Sequence, residues 1–136
     1  HIAVRTSLPD NPLFIDGNAE QLGKTIMSLL NNGMYAIAKK YGKKAYPAEI
    51  GLALESKDGQ AVIRLYDNGV GIEQSILDKI FDPFFTTKTT GEAAGIGLYL
   101  SKEIILNHHG QIAVRSEKDE LTEFTITLPL WEEKSV

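Results

Sequence analysis

Asp67 is the residue that most limits how this chain can fold. It closes a run in which Ile63 and Leu65 alternate with polar neighbours, so in a strand its carboxylate points to the same face as those apolar side chains. That face has to be covered, and a carboxylate taken out of water needs a donor. Residues 66–72 read Y-D-N-G-V-G-I; Gly69 and Gly71 carry no Cβ, so the backbone can turn sharply and a flat ligand can lie against it. An acceptor recessed beside a glycine-walled slot suits a base bearing an exocyclic amine. Adenine offers a donor where guanine offers an oxygen, and a buried acceptor left facing another acceptor costs about 1–3 kcal/mol. D-N-G by itself describes no more than a strand running into a turn. The purine reading draws its weight from the rest of the chain.

Residues 1–8 alternate weakly, and residues 13–15 form a short apolar run after Pro9 and Pro12, so two short strands are expected there. From Asn18 the period becomes helical. Leu22, Ile26, Leu29, Leu30, Gly33 and Ile37 recur on one stripe to about Lys40, and Asn18 with Gln21 has the spacing of a capping box. Ile50, Leu52 and Leu54 alternate as a strand, and Asp58-Gly59 is a hairpin signal that joins it to the strand carrying Asp67. Residues 73–80 read as a short helix. Residues 81–94 are rich in Thr and Gly without any period, a length typical of a functional lid. Helical spacing returns over 95–109, with Ile96, Leu100 and Ile104 on one stripe and Gly110 as the C-terminal cap. Ile112 and Val114 mark one strand; Thr122, Phe124, Ile126 and Leu128 mark the last, which Pro129 ends. This order predicts an α+β fold, a two-layer α/β sandwich whose mixed, mostly antiparallel sheet carries its helices on one face. With 136 residues and no internal repeat or linker, the chain reads as a single domain over 1–136.

A net charge of −4 and the absence of a basic run interleaved with aromatics argue against nucleic acid as a partner. With no cysteine there is no disulfide framework and no thiolate metal site. No apolar run approaches the ~18 residues of a membrane span, so a cytoplasmic domain without direct membrane contact is expected. The chain opens on His1, as a fragment of a longer protein would, and that parent is either soluble or membrane-anchored.

Ser28, Asn32, Tyr35 and Lys39 fall on one polar stripe of the first helix. Such a stripe is usually a solvated face, but propensity gives no reason for an amide in mid-helix. An amide oxygen can take one position of a magnesium ion that otherwise keeps water and phosphate oxygens. Asn31 is the alternative, although it lies off the stripe. Gly95-Ile96-Gly97 opens the second helix, where bare N–H groups favour phosphate, and Lys88 stands ready just before it to add a point charge. A close packing contact explains that glycine pair equally well. No Walker loop occurs, nor the H-R-D and D-F-G set of eukaryotic protein kinases.

The ordered set L-L-N-N-G, D-N-G-V-G-I, I-F-D-P-F-F-T-T-K, G-I-G-L-Y-L and T-E-F-T-I-T-L-P resembles the catalytic, ATP-binding domain of bacterial sensor histidine kinases. That domain lies within the superfamily of DNA gyrase, heat-shock protein 90 and MutL ATPases, and the likeness runs over about residues 13–130. The resemblance implies a Bergerat-type ATP site. Asn32 matches the magnesium-binding asparagine, and Asp67 the aspartate that receives the adenine amine, together with an ordered water and Thr122. Gly69 and Gly71 match the first glycine box, and Gly95 and Gly97 the second, at the phosphates. Tyr35, Ile72, Ile96 and Leu98 lie in the same binding motifs. Phe81, Phe84 and Phe85 match the aromatic anchor of the lid, and Lys88 a lid lysine near the γ-phosphate.

Three positions depart from the family pattern. Ala93 and Ala94 stand where glycine and threonine usually begin the second glycine box. Ser28 stands one turn before Asn32, where hydrolytic relatives carry a glutamate that activates water. Serine is a poor base, which favours transfer to a partner over hydrolysis. His1, His108 and His109 do not lie in an acceptor helix, so the phosphorylated histidine is expected on a separate dimerising hairpin. The implied ligands are ATP and Mg2+. The implied partners are that dimerisation domain of the same protein and a downstream response regulator, with the fragment monomeric and the parent a homodimer. The alternatives are a degenerate docking module that has lost nucleotide and an anti-sigma-type serine kinase.

Overall fold

The chain is described here by a computed structural model, which covers residues 2–42, 47–83, 85 and 98–131. Asn18 starts the longest helix, α1 (Ala19–Tyr41): its side-chain oxygen accepts from the Gln21 N–H at 3.0 Å, filling one of the free donors of the first turn. The capping box is only half made. The Asn18 N–H donates to His108 Nε2 at 3.0 Å instead of to the Gln21 side chain. His108 Nδ1 lies 2.7 Å from the Ile104 carbonyl, which can only accept, so the imidazole carries its hydrogen on Nδ1. The ring thereby clasps the start of α1 to the end of α3 (Leu98–Asn107).

The remaining elements are β1 (Ala3–Ser7), β2 (Glu49–Lys57), β3 (Gln60–Asp67), α2 (Gln74–Leu77), β4 (Gln111–Glu117) and β5 (Leu121–Pro129). They form a five-stranded sheet of order β1-β2-β3-β5-β4, in which β1 runs parallel to β2 and the other pairs are antiparallel. Asp58 and Gly59 both take positive φ, 53° and 78°, as the tight turn between β2 and β3 requires. Alternation along β3 and β5 sends Leu65, Phe124, Ile126 and Leu128 to one face, where they pack with Leu29, Ile80, Leu98 and Ile105. This is the helix-covered face of the expected sandwich. Each such side chain contributes about 1.5–3 kcal/mol by leaving water.

Several expectations are corrected. Residues 13–15 form no strand: Ile15 packs on the core, and the Phe14 carbonyl accepts from the Trp131 N–H at 2.7 Å, so the run is satisfied by packing and one bond. The helix expected over 73–80 is the single turn of α2. On α3 the buried residues are Leu98, Ser101 and Ile105, whereas Leu100 is 65% exposed. The segment L-Y-L-S-K-E-I-I-L-N is apolar around much of its circumference, so the sequence does not single out a face.

The cap at the end of α3 is shifted too. His109, not Gly110, adopts the left-handed conformation (φ 62°), while the Gly110 N–H reaches back to the Ile105 carbonyl at 2.9 Å. Gly110 is glycine for another reason: a Cβ there would stand 2.3 Å from the Thr127 carbonyl oxygen. His109→Gly is therefore expected to stabilise the domain by about 1 kcal/mol by relieving the left-handed strain. Gly110→Ala is expected to destabilise it by roughly 2 kcal/mol by overpacking. Urea denaturation of both variants checks this, and shifts of the same sign would contradict the cap assignment.

Candidate functional site

A cavity of about 460 Å3 opens between α1, the chain that follows β3, and the start of β5. The register explains its floor. Asp67 at the end of β3 pairs with Thr122 near the start of β5, and both side chains point to the helix-covered face. Asp67 is only 5% exposed. One of its oxygens, Oδ1, accepts from the Gly69 N–H at 2.9 Å; the other has no donor among the described residues. Burial pushes the carboxyl up to about 6, against the lowering effects of the Gly69 bond and of the Lys40 charge.

The segment after Asp67 is fixed by its neighbours. A Cβ at Gly69 would stand 2.5 Å from the Ala36 carbonyl carbon, and the Val70 N–H donates to that same carbonyl group at 3.2 Å. Gly69 thus lets the loop lie on α1 and does not form part of the cavity wall, contrary to the expectation that a ligand would lie against it. Gly71 does line the cavity. It takes φ +71°, and a Cβ there would meet the Glu117 carbonyl oxygen at 2.2 Å, so the β4–β5 turn closes on it. Lys40 Nζ donates to the Asp119 and Asn68 carbonyls at 2.5 and 3.3 Å, and Tyr41 donates to the latter at 3.1 Å. The Asn68 side chain accepts from Glu49 N–H at 2.7 Å and donates to the Pro47 carbonyl at 2.8 Å.

α1 supplies Asn32, Tyr35 and Lys39 to the cavity, so three members of the predicted polar stripe face it; Ser28 does not line it. Asn32 is half-buried and its Nδ2 is buried without a partner among the described residues, while Asn31 is exposed. The unpaired Nδ2 is a donor, and a cation could be held only through the amide oxygen of the same side chain. No cluster of three or more His, Cys, Asp or Glu able to hold a metal occurs among the described residues. Ile72 and Leu98 also line the wall. Phe81 braces it from behind, edge-on to Phe124 with ring centroids 6.5 Å apart, and Phe85 packs on the core. Phe84, Lys88, Gly95, Ile96 and Gly97 lie outside the described residues.

The sequence reading missed Ser116. It is buried, and its hydroxyl lies 2.8 Å from each of the Ile72 N–H, the Leu121 carbonyl and the Thr122 hydroxyl. The signal was present: Ile112, Val114 and Ser116 share one face of β4, so a hydroxyl stands where the period calls for an apolar group.

Residues 17–132 match the family described as histidine kinase-, DNA gyrase B-, and HSP90-like ATPase. The chain belongs to that ATPase family. Sporulation kinase D of Bacillus subtilis is 34% identical over 123 residues, which span 90% of this chain and 22% of that protein. The signal transduction histidine-protein kinase AtoS of Escherichia coli is 39% identical over 122 residues, 89% of this chain and 19% of that one. The chain thus spans about a fifth of these relatives. Its fold is shared with the nucleotide-free catalytic domain of histidine kinase ThkA (TM-score 0.77, 23% identity, covering 94% of this chain and 78% of that one). It is shared equally with the mycobacterial sensor histidine kinase MprB (TM-score 0.76, 24% identity, 95% and 82%).

In this ATPase domain the floor carboxylate opposes folding at neutral pH. Its pKa rises from 3.8 unfolded to about 6 folded, so its favourable contribution is complete below about pH 4 and is lost as pH rises through 6. An asparagine keeps an acceptor for the Gly69 N–H without the buried charge. Asp67→Asn is expected to stabilise the ligand-free domain by about 2–3 kcal/mol at pH 8, with the gain vanishing near pH 4. Urea unfolding across that range measures it, and a destabilised variant at pH 8 would contradict the burial cost.

Proposed function

We propose that this domain binds ATP with magnesium and donates the γ-phosphate to a histidine on a separate dimerisation domain of a sensor kinase. From there the phosphate passes to an aspartate of a response regulator. The carrying observation is the buried Asp67 carboxylate, with one oxygen free, on the floor of a cavity that Asn32 shares. Membership of the ATPase family and the sensor-kinase relatives support the same reading.

In this reading the free Asp67 oxygen accepts from the adenine amine, and Thr122 borders the same edge of the base. Gly71, Ile72, Leu98 and Phe124 supply apolar wall, and Phe81 supports Phe124 through an edge-to-face contact. Asn32 would hold magnesium by its amide oxygen, and the bound ion neutralises phosphate charge. Lys88 and the amides of Gly95 to Gly97 are assigned to the phosphates on the strength of the motif match alone. The domain's own contribution is positioning: it fixes the purine at one end so that the terminal phosphate is presented to the incoming imidazole. Ser28, which lies off the cavity, offers no base for water. The fragment is read as a monomer, working within a homodimeric parent on the cytoplasmic side. No helix among the described residues is long and apolar enough to cross a membrane.

Asp67→Asn places a donor where the adenine amine also donates, so ATP affinity is expected to fall by roughly a hundredfold or more. Calorimetric titration measures this, and parental affinity in the variant would overturn the reading. Asn32→Ala is expected to bind ATP like the parent in chelator but to lose most of the gain that magnesium gives. An unchanged magnesium effect would remove Asn32 from the metal.

A further inference from the structure

Ser116 does not itself line the cavity, and its hydroxyl has only one hydrogen to distribute among its close contacts. The Leu121 carbonyl can only accept and the Ile72 N–H can only donate, each at 2.8 Å. The Ser116 hydrogen therefore goes to Leu121, and the Thr122 hydroxyl, also 2.8 Å away, must donate its own hydrogen to Ser116. The Ser116 oxygen is then saturated, with one bond donated and two accepted. Thr122 is left with lone pairs alone.

This matters because Thr122 is the cross-strand partner of Asp67 on the covered face, with side chains of such pairs about 5 Å apart at Cβ. Its hydroxyl is therefore a donor on the same face as the free Asp67 oxygen. The charged group acting on Asp67, Lys40, has two of its three hydrogens on the Asn68 and Asp119 carbonyls, and the only bond the carboxylate accepts among the described residues comes from Gly69. We infer that Ser116 is a positioning residue: it withdraws the Thr122 hydrogen from Asp67 and so keeps the second carboxylate oxygen open for a ligand donor. The inference rests on the nucleotide reading above and adds to it the residue that sets the polarity of the floor.

Without Ser116 as an acceptor, the Thr122 hydroxyl turns to Asp67, and an incoming amine must compete with it. Calorimetric ADP titration of four proteins tests this: the parent, Ser116→Ala, Thr122→Val and the double variant. Thermal melting verifies that each is folded. Ser116→Ala is expected to weaken ADP roughly five- to tenfold in the parent, the range of one net hydrogen bond. In the Thr122→Val background the same change should have less than about a twofold effect, because no hydroxyl remains to turn. Ser116→Cys, which fills the same space with a far weaker acceptor, gives the same pattern and serves if the alanine variant does not fold. If Ser116→Ala weakens ADP equally in both backgrounds, Ser116 is only structural and the inference falls while the nucleotide reading stands. A parent that binds no ADP removes both.

Discussion

A carboxylate that is buried but only half satisfied organises this molecule. Desolvation of Asp67 favours its neutral form, and one bond from Gly69 together with the Lys40 charge falls short of offsetting it. A chain selected for stability alone would complete the second oxygen with a donor or replace the acid. Here the surroundings do the opposite. Gly33 and Gly69 let α1 and the loop approach closely enough to wall the carboxylate in, and the hydroxyls of Thr122 and Ser116 bond to each other. The cost of burying this acid therefore stays with the folded domain and is offset by packing elsewhere.

The glycines separate into distinct physical roles that a motif does not distinguish. Gly69 is required by the approach of the Ala36 backbone, Gly71 by a positive φ and the Glu117 carbonyl, and Gly110 by the Thr127 carbonyl. In each case the missing Cβ makes room for the protein's own main chain. That these glycines stand beside the cavity follows from this packing: the tight turn that seats the loop on α1 comes directly after Asp67, which the strand alternation has already turned inward.

Much of this was legible in the sequence because it depends on period. The alternation through Asp67 and through Thr122, Phe124, Ile126 and Leu128 gave both strands and their common face, and the apolar stripe from Leu22 to Ile37 gave α1. Asn32 and Tyr35 followed from the polar stripe beside it. What escaped was set by contacts distant in sequence. The partner of the Asn18 N–H is a histidine 90 residues away, the reason for Gly110 is on β5, and Ser116 acts through atoms of a loop and of another strand. On α3 the period itself was ambiguous, since apolar residues surround the helix and only the packed structure selects Leu98, Ser101 and Ile105.

The strand order also divides the molecule by how readily its parts open. β3 lies between β2 and β5 and is paired along its whole length on both sides, so the carboxylate at its end sits in a fully paired, central part of the sheet. Part of the cavity rim is attached more lightly: α2 is a single turn without a buried residue, and the β4–β5 turn is exposed. The carboxylate at the end of β3 is therefore held in register from both sides, whereas α2 and the β4–β5 turn border the cavity without such support.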